Sequence, residues 1–338
     1  MWRWRLLLLT CSVLLLFRGA ACPAQETTFR NPILPHAADP WVIRHTDGFY
    51  YYCSSSREEI ALTRSKTLTG LAAGERQIIR PRRPAGPDSR QVWAPELHFL
   101  DGAWYVYFAA SDGDNANHRM HVLENRSADP FAGTFTEKGR IAAPDDDLWA
   151  IDGSVLEHDG KRYFVWSRAL GENLDPQVLC IARMTNPWTL ENPTVEISRP
   201  THRWERRGDP DVNEGPQALS HAGRTFLVYS ASGSWTDDYC LGLLSLKPGG
   251  NPLNAANWNK SPEPVFQSAN GVFGPGHCCF TKSPDGTEDW ILYHAAREKG
   301  SGWDRNVRMQ RFEWATDGTP QFGEPQSIER SLQKPSGE

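Results

Sequence analysis

Five stretches of the chain carry an ionisable residue at a matched place: Asp39 in DPWVIR, Glu96 in APELHFL, Asp152 in DGSVLEH, Glu214 just ahead of GPQALSH, and His277 in GHCCFTK. Each stands five to eight residues before a turn-forming segment. Singly, each has a plain reading. Asp39 before Pro40 and Asp152 before Gly153 suit turns, Glu214 suits a loop tie, and Glu96 suits a backbone brace. Brought together, four carboxylates and an imidazole would cost several kcal/mol to bury unless they do chemistry or hold a cation. A protonated carboxyl that donates to a leaving oxygen, and an ionised one that activates water or attacks, are what glycoside hydrolysis requires; a separation of roughly 6.5 to 9.5 Å selects inversion. A third carboxylate near the acid keeps its proton on, because like charges resist joint ionisation.

The elements that would bring these residues together recur along the sequence. A turn followed by an aromatic, strand-like run appears five times: DGFYYYCSSS from Asp47, DGAWYVYFAAS from Asp101, DGKRYFVWSR from Asp159, HAGRTFLVYSAS from His221 and DGTEDWILYHAA from Asp285. Successive starts lie 54, 58, 62 and 64 residues apart. Each run is preceded by one of the stretches above, so each unit opens with a hairpin. Further strands follow, such as RMHVLEN from Arg119 and CLGLLSL from Cys240. Units of about sixty residues with four short strands predict an all-β fold, a five-bladed β-propeller. In that fold the first strand of every blade lines a central channel, and the five ionisable residues meet there. A two-sheet sandwich is the competing architecture, and the regular recurrence of one hairpin argues against it. The tail SLQKPSGE from Ser331 reads as frayed.

The chain has 338 residues, 39% of them hydrophobic and 23% charged, enough for a sizeable core. Glycine and proline make up about 16%, in keeping with many turns. A formal charge of −5, with no block of like charges, supplies no field for nucleic acid. Residues Met1 to Ala24 read as an export signal: Arg3 and Arg5 precede the apolar run Leu6 to Phe17, and small residues flank Ala24. The run is too short to span a bilayer, and nothing later looks transmembrane. The expected organisation is therefore a signal peptide over residues 1–24 and a single propeller domain over 25–338. Lipidation at Cys22 is the weaker alternative to a secreted or periplasmic protein, because Gly19 stands where a lipobox has an aliphatic residue. Five cysteines follow the signal, an odd number without metal-ligand spacing, so they are expected as buried small hydrophobes. Cys278 and Cys279 are adjacent, but alternation in a strand would point them to opposite faces. Of fourteen tryptophans, Trp41, Trp93 and Trp149 lie close in sequence to the acids; aromatic faces stack on sugars, although most tryptophans should pack between blades.

At these residues the sequence resembles glycoside hydrolase family 43. The matching stretches are RNPILPHAADPWVIRHTDGFYYY from Arg30, VWAPELHFLDGAWYVYF from Val92, LWAIDGSVLEHDGKRYFVW from Leu148, NEGPQALSHAGRTFLVYSAS from Asn213, GVFGPGHCCFTKSPDG from Gly271 and RNVRMQRFEWATDGTP from Arg305. The resemblance implies Asp39 as general base, Asp152 as the carboxylate that modulates and orients the acid, and Glu214 as general acid, with inversion at the anomeric carbon. It implies that Arg305 hydrogen-bonds sugar hydroxyls, and Trp93, Trp149 and Ile151, close in sequence to the acids, are the other expected substrate contacts. It also implies a structural calcium or sodium ion in the channel beside His277, held mainly by water because one imidazole is a poor calcium ligand set. No cofactor is implied for the chemistry. The pieces HRMHVLE from His118, DDLWAIDG from Asp146 and NEGPQ are similar to the exo-α-1,5-L-arabinofuranosidase branch, acting on arabinan or arabino-oligosaccharides. A β-xylosidase, an endo-arabinanase and a non-catalytic sugar-binding propeller are the alternatives, since the same carboxylates serve furanose and pyranose.

Overall fold

In each repeated unit the aromatic strand is buried on both faces, and its alternation sends successive side chains to different neighbours. In the run Ala103–Ser111, Trp104, Val106 and Phe108 pack into one hydrophobic cluster while Tyr105, Tyr107 and Ala109 pack into another. The same division holds for Tyr50 and Tyr52 against Tyr51 and Cys53, and for Phe226 and Val228 against Leu227 and Tyr229. It holds again for Tyr163 and Val165 against Phe164 and Trp166, and for Trp290 and Leu292 against Ile291 and Tyr293. Each strand is thus a two-faced wedge, and five clusters result, each shared by two adjacent sheets. A fully buried aromatic contributes about 1.5–3 kcal/mol, so the ring of wedges supplies most of the core.

The structure is a computed structural model that describes residues 1–2, 27–144, 146–171 and 173–338. The segment read as the export signal, with Cys22, lies almost wholly outside the described residues. Among those described, the five units form five antiparallel sheets, each built from strands in sequence order. Blade I comprises Trp41–Arg44, Tyr50–Ser56, Glu59–Ser65 and Glu75–Arg80, and blade II Arg90–Leu100, Ala103–Ser111, Arg119–Asn125 and Thr136–Arg140. Blade III comprises Ala150–His158, Lys161–Ala169 and Gln177–Asn186, its outer edge divided between Thr189–Leu190 and Val195–Ser198. Blade IV comprises Asn213–His221, Arg224–Ala231, Cys240–Leu246 and Trp258–Lys260, and blade V Phe273–Lys282, Asp289–Ala296, Arg305–Trp314 and Pro320–Gln321. This is the expected five-bladed propeller. In blade II the hairpin turn holds Asp101 at φ 51° and Gly102 at φ 79°, the paired left-handed geometry that a DG sequence favours.

The tail differs from expectation. Leu332–Gln333 pairs antiparallel with Thr28–Phe29, and the Glu338 carboxylate accepts from the backbone N–H of Leu68 and the hydroxyl of Thr69. The two ends of the propeller therefore meet at the junction of blades V and I. The sequence SLQKPSGE looked frayed because its partners are some 270 to 300 residues away and local pattern does not reveal them. All five described cysteines are free and buried. Cys278 packs in the cluster between blades IV and V and Cys279 in the one between V and I, as alternation requires.

Candidate active site

The inner strands do not run as regular pleats at their channel ends. Pairing with the second strand slips between Trp93 and Glu96, between Ile151 and Ser154, between Glu214 and Gln217, and between Gly276 and Cys279. At these slips the backbone turns left-handed, at Ala94 (φ 41°), Asp152 (φ 56°), Gly215 (φ 55°) and His277 (φ 44°); Asp39, two residues before the first strand of blade I, has φ 47°. Such bulges re-aim a side chain out of the strand's alternation. A non-glycine residue held this way costs on the order of 1–3 kcal/mol, which the surrounding ring of packed wedges sustains.

The re-aimed side chains converge. Asp39, Asp152, Glu214 and His277 line one cavity of about 470 Å³, together with Arg305. Trp93, Trp149 and Ile151 line the same cavity. Glu96 does not. It lies buried, with its carboxylate 2.9 Å from His98 Nε2 and also accepting from the Gln217 amide, so it braces inner strands of blades II and IV.

The carboxylates sit in opposed electrostatic settings. Burial pushes Asp39 up, but His277, His294 and Arg305 outweigh it and hold the carboxyl far below the usual range. His277 Nδ1, His294 Nδ1 and Arg305 Nη1 lie 3.4, 3.0 and 3.5 Å from Asp39 Oδ1. Asp152 is raised to about 8, by burial first and then by the charges of Glu214 and Asp39, against the pull of His277. Its Oδ2 accepts the Gly215 N–H at 3.1 Å, which ties it to the peptide that carries Glu214. Glu214 is also raised, by burial and by Asp39, although its bond from Tyr239 and the charges of His277 and Arg305 pull the other way. Asp152 and Glu214 titrate as a pair. Burial lowers His277, but Asp39, Asp152, Glu214 and Glu96 overcome it and raise its pKa. One cavity thus holds an ionised carboxylate and a carboxyl pair that retains a proton.

Several residues that shape the site stand outside the set read from sequence. The Tyr239 hydroxyl donates to Glu214 Oε1 at 2.7 Å, and its ring stacks on His294 at 5.6 Å. His294 is fully buried, with Nδ1 3.0 Å from Asp39 Oδ1 and 3.1 Å from the Asp39 backbone nitrogen. With a proton, Nδ1 serves the carboxylate; without one, it accepts from the backbone. His294 lies in YHAA, inside the repeated aromatic run of blade V, where the repeat marks a strand position and nothing more. Trp235 and Trp303 also line the cavity, from the SGSW and SGW segments. Trp149 is anchored by its Nε1 donating to the Asn115 carbonyl at 2.8 Å, and Trp93 stacks on His118 at 3.9 Å.

The donor set around His277 does not match a calcium cage. Its Nδ1 faces the two acids, Glu96 is committed to His98 and Gln217, and among the described residues no group of three His, Cys, Asp or Glu side chains is placed to hold an ion. A hard cation takes six to eight oxygens, so nearly all would have to be water.

Comparison with known proteins places these features in context. The chain matches Glycosyl hydrolases family 43 over residues 29–320. It is 43% identical over 319 residues to an extracellular exo-α-(1→5)-L-arabinofuranosidase of Streptomyces avermitilis, covering 90% of this chain and 66% of that protein. A protein of the same description from Streptomyces chartreusis is 41% identical, covering 80% of this chain and 83% of its own length. The chain thus spans just under two thirds of the first relative. The crystal structure of an α-L-arabinofuranosidase from Lactobacillus brevis superposes with a TM-score of 0.83 at 37% identity, covering 89% of this chain and 98% of that one.

Proposed function

The chain belongs to glycosyl hydrolases family 43, and on that premise we propose that it is an inverting, exo-acting α-L-arabinofuranosidase that releases arabinofuranose from α-1,5-linked arabinan or arabino-oligosaccharides. The observation that carries the reading is the coexistence, in one cavity, of an Asp39 held ionised beside His277, His294 and Arg305 and an Asp152–Glu214 pair that retains one proton. The likeness to relatives named as exo-α-(1→5)-L-arabinofuranosidases supports the substrate class.

In this reading the terminal arabinofuranose lies between Asp39 and Glu214. Asp39 takes a proton from water as the water oxygen bonds to the anomeric carbon, the glycosidic carbon–oxygen bond breaks, and Glu214 gives its proton to the departing oxygen. Attack opposite the leaving group inverts the anomeric centre. The cycle closes when Asp39 loses its proton to solvent and Glu214 regains one. Asp152 supports the step by sharing a proton with Glu214, its charge holding the proton on Glu214 whenever Asp152 is the ionised member, and by accepting the Gly215 N–H. Arg305, 3.5 Å from Asp39 and bonded to the Ser234 carbonyl, is placed to meet sugar hydroxyls. A calcium or sodium ion beside His277 would be structural, resting on water, and no step depends on it.

Residues 1–24 carry an export pattern and the relatives are named extracellular, so the protein is proposed to act outside the cytoplasm. Among the described residues no helix is long and apolar enough to cross a membrane. The test is a panel of aryl α-L-arabinofuranoside, aryl β-D-xyloside and linear arabinan, with products sized and the first-formed anomer followed by proton NMR. Release of single arabinose units with inverted configuration is expected. Xylose release, mixed oligomers from arabinan, or retention of configuration would each overturn the corresponding part of the assignment.

A further inference from the structure

Trp303 makes no sense as a core residue. Trp104, Trp149, Trp166 and Trp290 are at most 6% exposed, whereas Trp303 is 68% exposed although it lines the cavity. A large apolar side chain left in water beside a pocket is the informative exception to burial. It is also fixed in place. The segments joining the second and third strands of blade IV (residues 232–239) and blade V (residues 297–304) are laced together: the Gly300 N–H donates to Asp237 Oδ1 at 2.9 Å, Arg305 Nη2 to the Ser234 carbonyl at 2.7 Å, and Trp303 Nε1 to Ser234 Oγ at 3.2 Å. Trp235 meets Trp303 edge to face, with centroids 6.0 Å apart. It is itself pressed on its own loop, where a Cβ on Gly233 would come within 2.7 Å of the indole.

We infer that Trp303, braced by Trp235, is a stacking platform for the sugar next to the one cleaved, on the leaving-group side of the cavity. This rests on the function proposed above, and the chemistry sets the direction. A general acid must face the leaving oxygen, so the departing sugar lies on the side of Glu214. Glu214 stands on the first strand of blade IV, and the loop bearing Trp235 follows the second strand of that blade. Trp93 and Trp149 line the cavity from blade II and the start of blade III, away from the blade IV and V loops, and are committed to His118 and Asn115. The ligand is a neutral pentose unit of an arabino-oligosaccharide, whose C–H face suits the electron-rich face of an indole. Edge-to-face geometry leaves a single ring to lie flat under the sugar, and the exposed one is Trp303.

The experiment compares Trp303→Ala and Trp303→Phe with wild type on arabinotriose and on methyl α-L-arabinofuranoside, whose leaving group is too small to reach the platform. For Trp303→Ala, kcat/KM on arabinotriose should fall about tenfold, mainly through KM, and by less than about twofold on the methyl glycoside. Trp303→Phe should recover part of the loss. An equal loss on both substrates, or none on arabinotriose, would overturn the platform while leaving the proposed function standing. A wild-type protein inactive on both arabinosides would instead overturn the function and the platform with it.

Discussion

Replacing Tyr239 by phenylalanine removes one oxygen from the site and little else. The ring occupies a slot that exists because residue 276 is glycine: a Cβ there would come within 2.1 Å of Tyr239 Cε1, and phenylalanine fits the same slot. What disappears is the donor 2.7 Å from Glu214 Oε1. Burial pushes the phenol well above its ordinary value, so Tyr239 donates throughout the working range. Its bond favours the Glu214 anion. The charged groups around Glu214 are Asp39 before blade I, Asp152 on blade III, and His277 and Arg305 on blade V, and the substitution touches none of them. A hydrogen bond to a charged group is worth about 1.5–3 kcal/mol net; at 1.36 kcal/mol per pKa unit, its loss should raise the Glu214 pKa by about one to two units. In its proposed role as general acid Glu214 must be protonated, so the alkaline limb of the kcat/KM profile on arabinotriose should move to higher pH by that amount. A limb that stays in place while the rate falls equally at every pH would refute the argument, because loosened packing alone would give that result.

The remaining expectations are simpler. Asp39→Asn and Glu214→Gln should each lower kcat on arabino-oligosaccharides by about 10²–10⁴ with unchanged circular dichroism; a full rate in either would contradict the assigned roles. Asp152→Asn removes the partner with which Glu214 shares a proton; whenever Asp152 is the ionised member its charge holds the Glu214 proton on, so without it the alkaline limb should retreat downward, the opposite sign to Tyr239→Phe. Dialysis against a chelator should leave kcat within about twofold, since the residues near His277 form no oxygen cage; a larger loss in a kcat assay would place an ion in the reaction. Phe108→Ala, at a fully buried wedge position, should cost about 3–5 kcal/mol in a denaturant titration.

The propeller was legible in the sequence because each blade repeats one local device, a DG-like turn before a strand apolar on both faces. Asp39, Asp152, Glu214 and His277 were legible for the same reason: an offset of seven or eight residues from that turn puts them at a similar place in the channel. Glu96 stands only five residues before Asp101, nearer the turn than the others, and lies outside the cavity lining. Tyr239 and His294 escaped because their partners lie 25 and 255 residues away, Glu214 on the first strand of the same blade and Asp39 across the junction with blade I, and neither belongs to the offset pattern. Trp235 and Trp303 lie in loops, where no period operates.

Every blade but one is joined to the next by continuous chain; blades V and I meet through the pairing of Thr28–Phe29 with Leu332–Gln333, the hold of Asn31 on Met309, and the grip of Glu338 near Leu68. That seam runs through the reaction centre, for Asp39 is on one side and His277, His294 and Arg305 are on the other. Parting it by an ångström or two would strip Asp39, the proposed base, of the cations His277 and Arg305 and of its contact with the neutral His294 while the sheets stayed intact. On slow heating, turnover should therefore vanish several degrees before the β-sheet signal does, and a cross-link stapling the two chain ends should close that gap.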